Sequence, residues 1–167
     1  GKIISEGCKT RGQWGIASDA YGRLYHNTNS NWFRTDSEIY DRLFGEKGAP
    51  GRGVRAIRTN TAMNRAYKPG MIQEDGRING VTSVSGLAVH SNGAFGEKWE
   101  DAIFGFSPGT NTVGAFVPDA PMPETSGYKH LQYDDSKWSK REFIASTDER
   151  FRPVNGSFGP DGCLYIV

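Results

Sequence analysis

The sequence has no long apolar run. No stretch approaches the roughly 18 consecutive apolar residues of a membrane span. It has no charged-then-apolar leader and no initiator Met. An excess of one charge is also missing, since 20 Lys or Arg stand against 19 Asp or Glu, for a net charge of +1. That balance excludes a strongly basic nucleic-acid binder as the default and gives no ground for an acidic-tail chaperone. Cysteine is scarce, with only Cys8 and Cys163, near opposite ends. They read as two small core residues, with one disulfide in an oxidising compartment as the alternative. No C-x-x-C, C-x-x-C-H or H-E-x-x-H occurs, so zinc, haem attachment and metalloprotease chemistry have no support within the chain. A Gly-rich phosphate loop, a G-x-S-x-G elbow and an EF-hand loop are absent too.

Glycine is abundant. The 167 residues include 22 Gly, nearly twice the average share of about 7%, together with 8 Pro, 9 Phe, 7 Tyr and 4 Trp. Excess Gly without a G-x-y period, joined to many aromatics, points to tight turns between short strands and away from a helix bundle. The length suits one domain, two at most. The chain opens on GKIISEGC and stops on CLYIV, within what reads as a strand. The expectation is an internal piece, residues 1–167, of a larger protein.

Two blocks share a plan. In QWGIASDAYGRLYHNTNSN, Trp14 and Ile16 begin an apolar run, Asp19 to Gly22 reads as a tight turn, and Leu24-Tyr25 start a returning strand. In VNGSFGPDGCLYIV, Gly159 to Gly162 is the turn and Leu164 to Val167 the return. Laying Gly22 on Gly162 lays Leu24-Tyr25 on Leu164-Tyr165, an offset of 140 residues. Such a recurring hairpin is the unit of β-propeller blades. Further strands are expected at Gly86–Val89, Ala102–Phe106, Gly114–Val117 and Glu142–Ala145. The fold class is therefore all-β, an antiparallel, partial β-propeller of about two to three blades. Loop excursions are expected over 36–80, with one short helix over Ser37–Phe44, and over 118–140.

This plan makes a directional prediction. If the Asp19–Gly22 turn closes one end of the innermost strands, flanking residues emerge at the other end, at the mouth of a central channel. Arg11 and Gln13 lie just before the first strand. His26, Asn27, Asn29 and Asn31 lie just after the second. Arg150 and Arg152 take the same pre-strand position in the last block, and strand alternation turns both away from Phe151. Arg binds carboxylates bidentately and His can take a proton, so the set suits a polyanionic or hydroxyl-rich ligand. Each residue also has a plainer reading: the Asn of NTNSN are turn formers, and His26 is a structural histidine at a strand end. His90 and His130 are expected in exposed loops. The sequon Asn155-Gly-Ser157 lies at a strand start.

Three ordered blocks carry a family resemblance. ASTDERFRPVNGSFGPDGCLYIV resembles "ASTD-x-x-FRPV-x-x-x-x-GPDG-x-LY-V" of the dehydrogenase-like propellers with a PVC-type c-haem domain, which are related to the pyrroloquinoline-quinone (PQQ) glucose/sorbosone dehydrogenases. GQWGIASDAYGRLYHNTNSN and NRAYKPGMIQEDGRINGVTSVSGLAVH are similar to two further blocks of that family, in family order. The resemblance implies a bacterial, periplasmic or secreted protein that oxidises a sugar or related alcohol. It implies PQQ as cofactor, with haem c in a separate domain outside this chain. It places Arg150 and Arg152 on the quinone, through the family's Arg-x-Arg. The family's own catalytic histidine has no match on this chain; in the dehydrogenase reading His26 is the catalytic candidate, with Arg11, Gln13, Asn27, Asn29 and Asn31 near the substrate. The family's calcium ligands have no match here, and no metal ligand is assigned.

Two other function classes compete with a dehydrogenase. One is a non-catalytic propeller module binding carbohydrate or protein, and the other a structural subunit of a larger assembly. The expected partners are the rest of a parent propeller or a partner chain, and a small-molecule sugar or alcohol. Neither nucleic acid nor a membrane span is expected.

Overall fold

The computed structural model describes residues 12–35, 74, 81–91, 93–121, 127–135, 139–146, 148 and 150–167. The described residues form an all-β structure of antiparallel sheets, with a single 3-10 turn at Glu97–Trp99. No described helix is long and apolar enough to cross a membrane.

The first hairpin forms because Asp19 and Gly22 suit its turn. Gly22 adopts φ 79°, and its N–H donates to the Asp19 carbonyl at 3.2 Å. Asp19 Oδ1 accepts from the N–H groups of Tyr21 and Arg23, each at 2.9 Å. This turn joins β1 (Ile16–Ser18) to β2 (Leu24–Thr28), and β3 (Asn31–Thr35) completes a three-stranded sheet. The last hairpin pairs β11 (Gly156–Phe158) with β12 (Leu164–Ile166) through Gly162, also at φ 79°. Ile16 pairs with His26 and Gly156 with Ile166, while Ala17 pairs with Tyr25 and Ser157 with Tyr165. The 140-residue offset in the sequence is thus the strand register itself.

Between these hairpins lies a five-stranded sheet. Its strands are β4 (Leu87–Val89), β5 (Ile103–Ser107) and β6 (Thr112–Pro118), with β7 (Tyr128–Leu131) and β10 (Ile144–Ala145) both on the far edge of β6. A separate small hairpin pairs β8 (Tyr133–Asp135) with β9 (Ser139–Arg141).

Alternation gives the middle sheet two apolar faces. Leu87, Ile103 and Phe116 pack on Tyr25, Trp32 and Phe33 of the first sheet. Ala88, Phe104, Phe106, Val113 and Ala115 pack toward Phe158, Leu164 and Ile166 of the last. Burying each of the large rings stabilises by roughly 1.5–3 kcal/mol, so aromatic layers hold the stack. Gly105 and Gly114 face each other across β5 and β6, and a Cβ on either would press on the Trp32 ring, at 2.8 and 3.1 Å. The two glycines form the indole's seat. The leading strands β1, β4 and β11 lie side by side, with β4 in the middle.

Several expectations need correction. The stretch 118–140 is not simply a polar excursion, because β7, β8 and part of β9 occupy it. Its inward residues, Tyr128 and His130, are polar aromatics that bury their rings on Phe33 and Phe116. β3 was not expected as a strand; Trp32 and Phe33 form it and are both fully buried. Trp14 and Ile16 belong to no apolar core run, being 71% and 70% exposed. Cys163 is not a core residue but exposed and free, because alternation turns Leu164 inward and Cys163 out. Cys8, the Ser37–Phe44 helix and all of 36–80 except Glu74 lie outside the described residues.

Candidate functional site

The starts of the three leading strands meet in a row. Asn27, fully buried on β2, accepts from the Gly15 N–H at 2.9 Å. Its Nδ2 donates to the carbonyls of Ser85 at 3.1 Å and Gly86 at 3.4 Å. A Cβ on Gly15 would stand 2.6 Å from the Ser85 carbonyl oxygen, and one on Gly86 would stand 2.8 Å from that of Val154. Only glycine permits this approach. The segments leading into β1, β4 and β11 are therefore neighbours, which places Gln13, Thr82 and Val154 at one end of the stack.

Several expected site residues gather there, with different roles. Gln13 and Asn29 are exposed; Gln13 Oε1 accepts from the Asn29 N–H at 2.7 Å, and Asn29 Nδ2 donates to Thr82 Oγ1 at 3.5 Å. Asn27 instead joins two sheets. Asn31 is 2% exposed and donates to Thr28 Oγ1 at 2.5 Å. His26 is 7% exposed, and a Cβ on Gly12 would stand 3.3 Å from its Cβ. Its imidazole is packed under the chain entering β1, which is a structural placement. Arg11 lies outside the described residues.

Arg150 and Arg152 are both exposed and flank a half-buried Phe151, in a turn ahead of β11 and outside any strand. Their loop is built around Asn111, a buried residue at φ 58° in the β5–β6 turn. Asn111 Nδ2 donates to the carbonyls of Asp148 at 3.0 Å and Phe151 at 2.6 Å. The Arg150 N–H donates to Asp148 Oδ1 at 2.9 Å, and the Phe151 N–H to the Asp148 carbonyl at 3.1 Å. Two guanidinium groups thus project from a backbone fixed on both sides. Guanidinium groups are donors suited to carboxylates and phosphates.

Neither of the two histidines expected in exposed loops is exposed: His90 is buried, and His130 is half-buried with a side chain only 6% exposed. His90 is fully enclosed; the Phe95 N–H donates to its Nε2 at 3.2 Å, so the ring proton sits on Nδ1 and points to the Trp99 carbonyl at 2.8 Å. Its ring stacks on Phe95 and meets Phe158 edge-on. His130 Nε2 lies 2.7 Å from Glu142 Oε2, and Gln132 donates to the other carboxylate oxygen at 2.9 Å. Glu142 is 1% exposed, so this buried polar group is satisfied within the fold. The alternation of His130 with Gln132, and Glu142 just before Phe-Ile-Ala, is the signal in the sequence that could have found it.

The turn end of the stack carries a tyrosine–carboxylate cluster. The Tyr25 hydroxyl donates to Asp19 Oδ2 at 2.9 Å and meets the Tyr128 hydroxyl at 2.9 Å. Burial pushes Tyr128 up to about 12 and Tyr25 higher still. Asp101, at φ 55°, is raised by burial first and by Glu100 and Asp19 next. Among the described residues no three His, Cys, Asp or Glu side chains gather as a metal-holding group.

A family model described as "Domain of unknown function (DUF7133)" matches residues 1–167, and the chain belongs to that family. No curated protein and no solved structure matches it.

Proposed function

We propose that the three stacked sheets are successive blades of a β-propeller and that the end where β1, β4 and β11 begin holds an anionic or hydroxylated ligand. The reading extends to a part of an exported quinoprotein-like dehydrogenase that oxidises a sugar or related alcohol. One observation carries it: Arg150 and Arg152 project from a loop that Asn111 pins just ahead of β11. That pair fits the carboxylates of PQQ, which when bound would accept a hydride from the substrate carbinol. Arg150 and Arg152 would hold and orient the group, while Gln13, Asn29 and Thr82 would offer amide and hydroxyl partners to a sugar. His26 does not fit the part of base, since its ring is packed under Gly12.

The enclosed His26 favours a second reading, a binding module without chemistry. Titrating the intact protein with PQQ, and separately with sugars, distinguishes the two. Saturable quinone absorbance with sugar-dependent bleaching supports the dehydrogenase, while sugar binding alone supports the module. Replacing both arginines by Lys keeps the charge and removes the planar fork, so affinity should fall more than ten-fold, about 1.4 kcal/mol. Unchanged affinity for both ligands would remove Arg150 and Arg152 from the site.

A further inference from the structure

The β5–β6 turn stands between two kinds of donor at the end where β1, β4 and β11 begin. On one side, a Cβ on Gly109 would stand 2.8 Å from Ser83 Oγ and 3.4 Å from the Thr82 carbonyl oxygen. On the other, Asn111 holds the backbone of Asp148 and Phe151 that carries Arg150. Gly109 and Asn111 are two residues apart, at most about 7 Å of chain. The leading strands bring the same two sides together. The carbonyls of Gly86 and Asn155 accept from the N–H groups of Phe106 at 3.2 Å and Val167 at 2.9 Å, which makes the two residues equivalent. They lie side by side, since a Cβ on Gly86 would stand 2.6 Å from Asn155 Cα. Three residues ahead of them come Ser83 and Arg152.

The first side offers uncharged atoms that the fold does not use. Gln13 Nε2, Asn29 Oδ1 and Ser83 Oγ have no hydrogen-bond partner among the described residues, although the other end of each amide is engaged. Ser83 is half-buried and holds φ 59°, where a side chain is uncommon. Its neighbours keep it there. The Ser83 carbonyl accepts from Ser85 Oγ at 3.1 Å, the Thr82 carbonyl accepts from Ser107 Oγ at 2.9 Å, and the Val84 N–H donates to the Asn29 carbonyl at 3.3 Å. An amide donor, an amide acceptor and a hydroxyl together match sugar hydroxyls, which both donate and accept. On the second side the exposed Arg150 guanidinium also has no partner among the described residues, and it suits a carboxylate or phosphate. We propose that the two sides take one ligand, an anionic sugar. Its hydroxyls meet Gln13, Asn29 and Ser83, and its carboxylate or phosphate meets Arg150. The proposal rests on the sugar half of the reading above and is independent of its quinone half, because Arg150 here serves the sugar's own charge.

Calorimetric titration of the intact protein, without added quinone, tests this. The ligands are glucose, glucuronate, glucose 6-phosphate and their galacto epimers, with acetate and inorganic phosphate as probes of charge alone. A glucuronate-type or phosphate-type sugar should bind about ten-fold or more tighter than its neutral parent and than the bare anion. Whichever of the two does so identifies the anion. Arg150→Gln should erase that preference, bringing anionic and neutral sugars within about two-fold of one another. Ser83→Gly keeps the positive φ and removes the hydroxyl, so it should weaken every sugar by a common factor of about five and leave the preference in place. Equal affinity for neutral and anionic sugars would overturn the proposal. So would acetate or phosphate binding as tightly as the sugar that carries it. If PQQ binds and no sugar does, the anionic-sugar site falls and the quinone reading stands. If an anionic sugar binds and PQQ does not, the quinone reading alone falls.

Discussion

Replacing Asn27 separates its two readings, ligand residue and sheet connector. Its amide makes three hydrogen bonds, one accepted from Gly15 and two donated to Ser85 and Gly86, and the side chain is sealed from water. In Asn27→Ala the Gly15 N–H loses its acceptor, which costs about 1–3 kcal/mol. The Ser85 carbonyl loses a donor and a small void opens, so the total should be roughly 2–4 kcal/mol. Asn27→Asp sharpens the test. The shape and the Gly15 bond remain, but an oxygen now faces the Ser85 carbonyl across 3.1 Å and brings a charge into the interface. It should therefore destabilise at least as much as Ala. Urea unfolding of the intact protein gives the midpoint and slope, and the slope should stay constant. Ligand affinity of the folded fraction should stay within about two-fold. A loss below about 0.5 kcal/mol in both variants, with affinity falling more than ten-fold, would refute the connector role.

Three further outcomes follow from the packing and the titrating groups. Gly105→Ala should cost about 1–3 kcal/mol, because its Cβ would meet the Trp32 ring at 2.8 Å, and Gly114→Ala less, at 3.1 Å; denaturant unfolding of each and of the Trp32→Phe double variants checks the seat. Tyr128 ionises near 12 when folded and near 10 when unfolded, so above pH 10 the unfolded state loses its proton first. Stability should then fall by about 2 kcal/mol between pH 10 and 12, with Tyr25 adding in the same direction, and Tyr128→Phe should flatten the fall seen by urea midpoints. Asp101 is raised when folded, so its contribution is most favourable in acid and declines as pH rises through its titration. Asp101→Asn, which suits φ 55°, should raise the melting temperature at neutral pH and leave it unchanged near pH 3.

The sequence carried the local chemistry well and the long-range chemistry poorly, for a physical reason. Asp19, Gly22 and Gly162 act within four residues of themselves, and a turn that needs positive φ leaves glycine as its mark. Matching two such turns was enough to set the pairing of both hairpins. Asn27 and His130 act across 58 and 12 residues, on groups that no local pattern reveals. Each could be noticed as a residue type, yet only the packed neighbour shows that its polar atoms are already used. β3 was hidden because Trp32 and Phe33 break the period-2 signal, a consequence of the irregular register between His26 and Thr28. One long-range contact did leave a trace: Gly105 in FGF and Gly114 in VGAF stand where a strand should prefer bulk, and together they mark the place of a large ring from another sheet.

The same distinction bears on where function can reside. A polar side chain whose atoms are all met inside the fold, as in Asn27, His90 or Glu142, has none left for a substrate. A useful site needs groups fixed by something other than their own reactive atoms. In the proposed site, Asn111 and Asp148 hold the backbone that carries Arg150 and Arg152, both exposed side chains. Asn111→Ala should therefore act on the site without touching it. Removing its two bonds takes the amide donor from the Phe151 carbonyl and one of two donors from the Asp148 carbonyl, and loosens the loop, at about 1–3 kcal/mol in stability. Ligand affinity should drop several-fold through the added ordering cost. Asn111→Gly keeps the positive φ but not the amide, so it separates backbone conformation from grip. If Asn111→Gly binds as the parent protein does, the grip is irrelevant and the arginines position themselves.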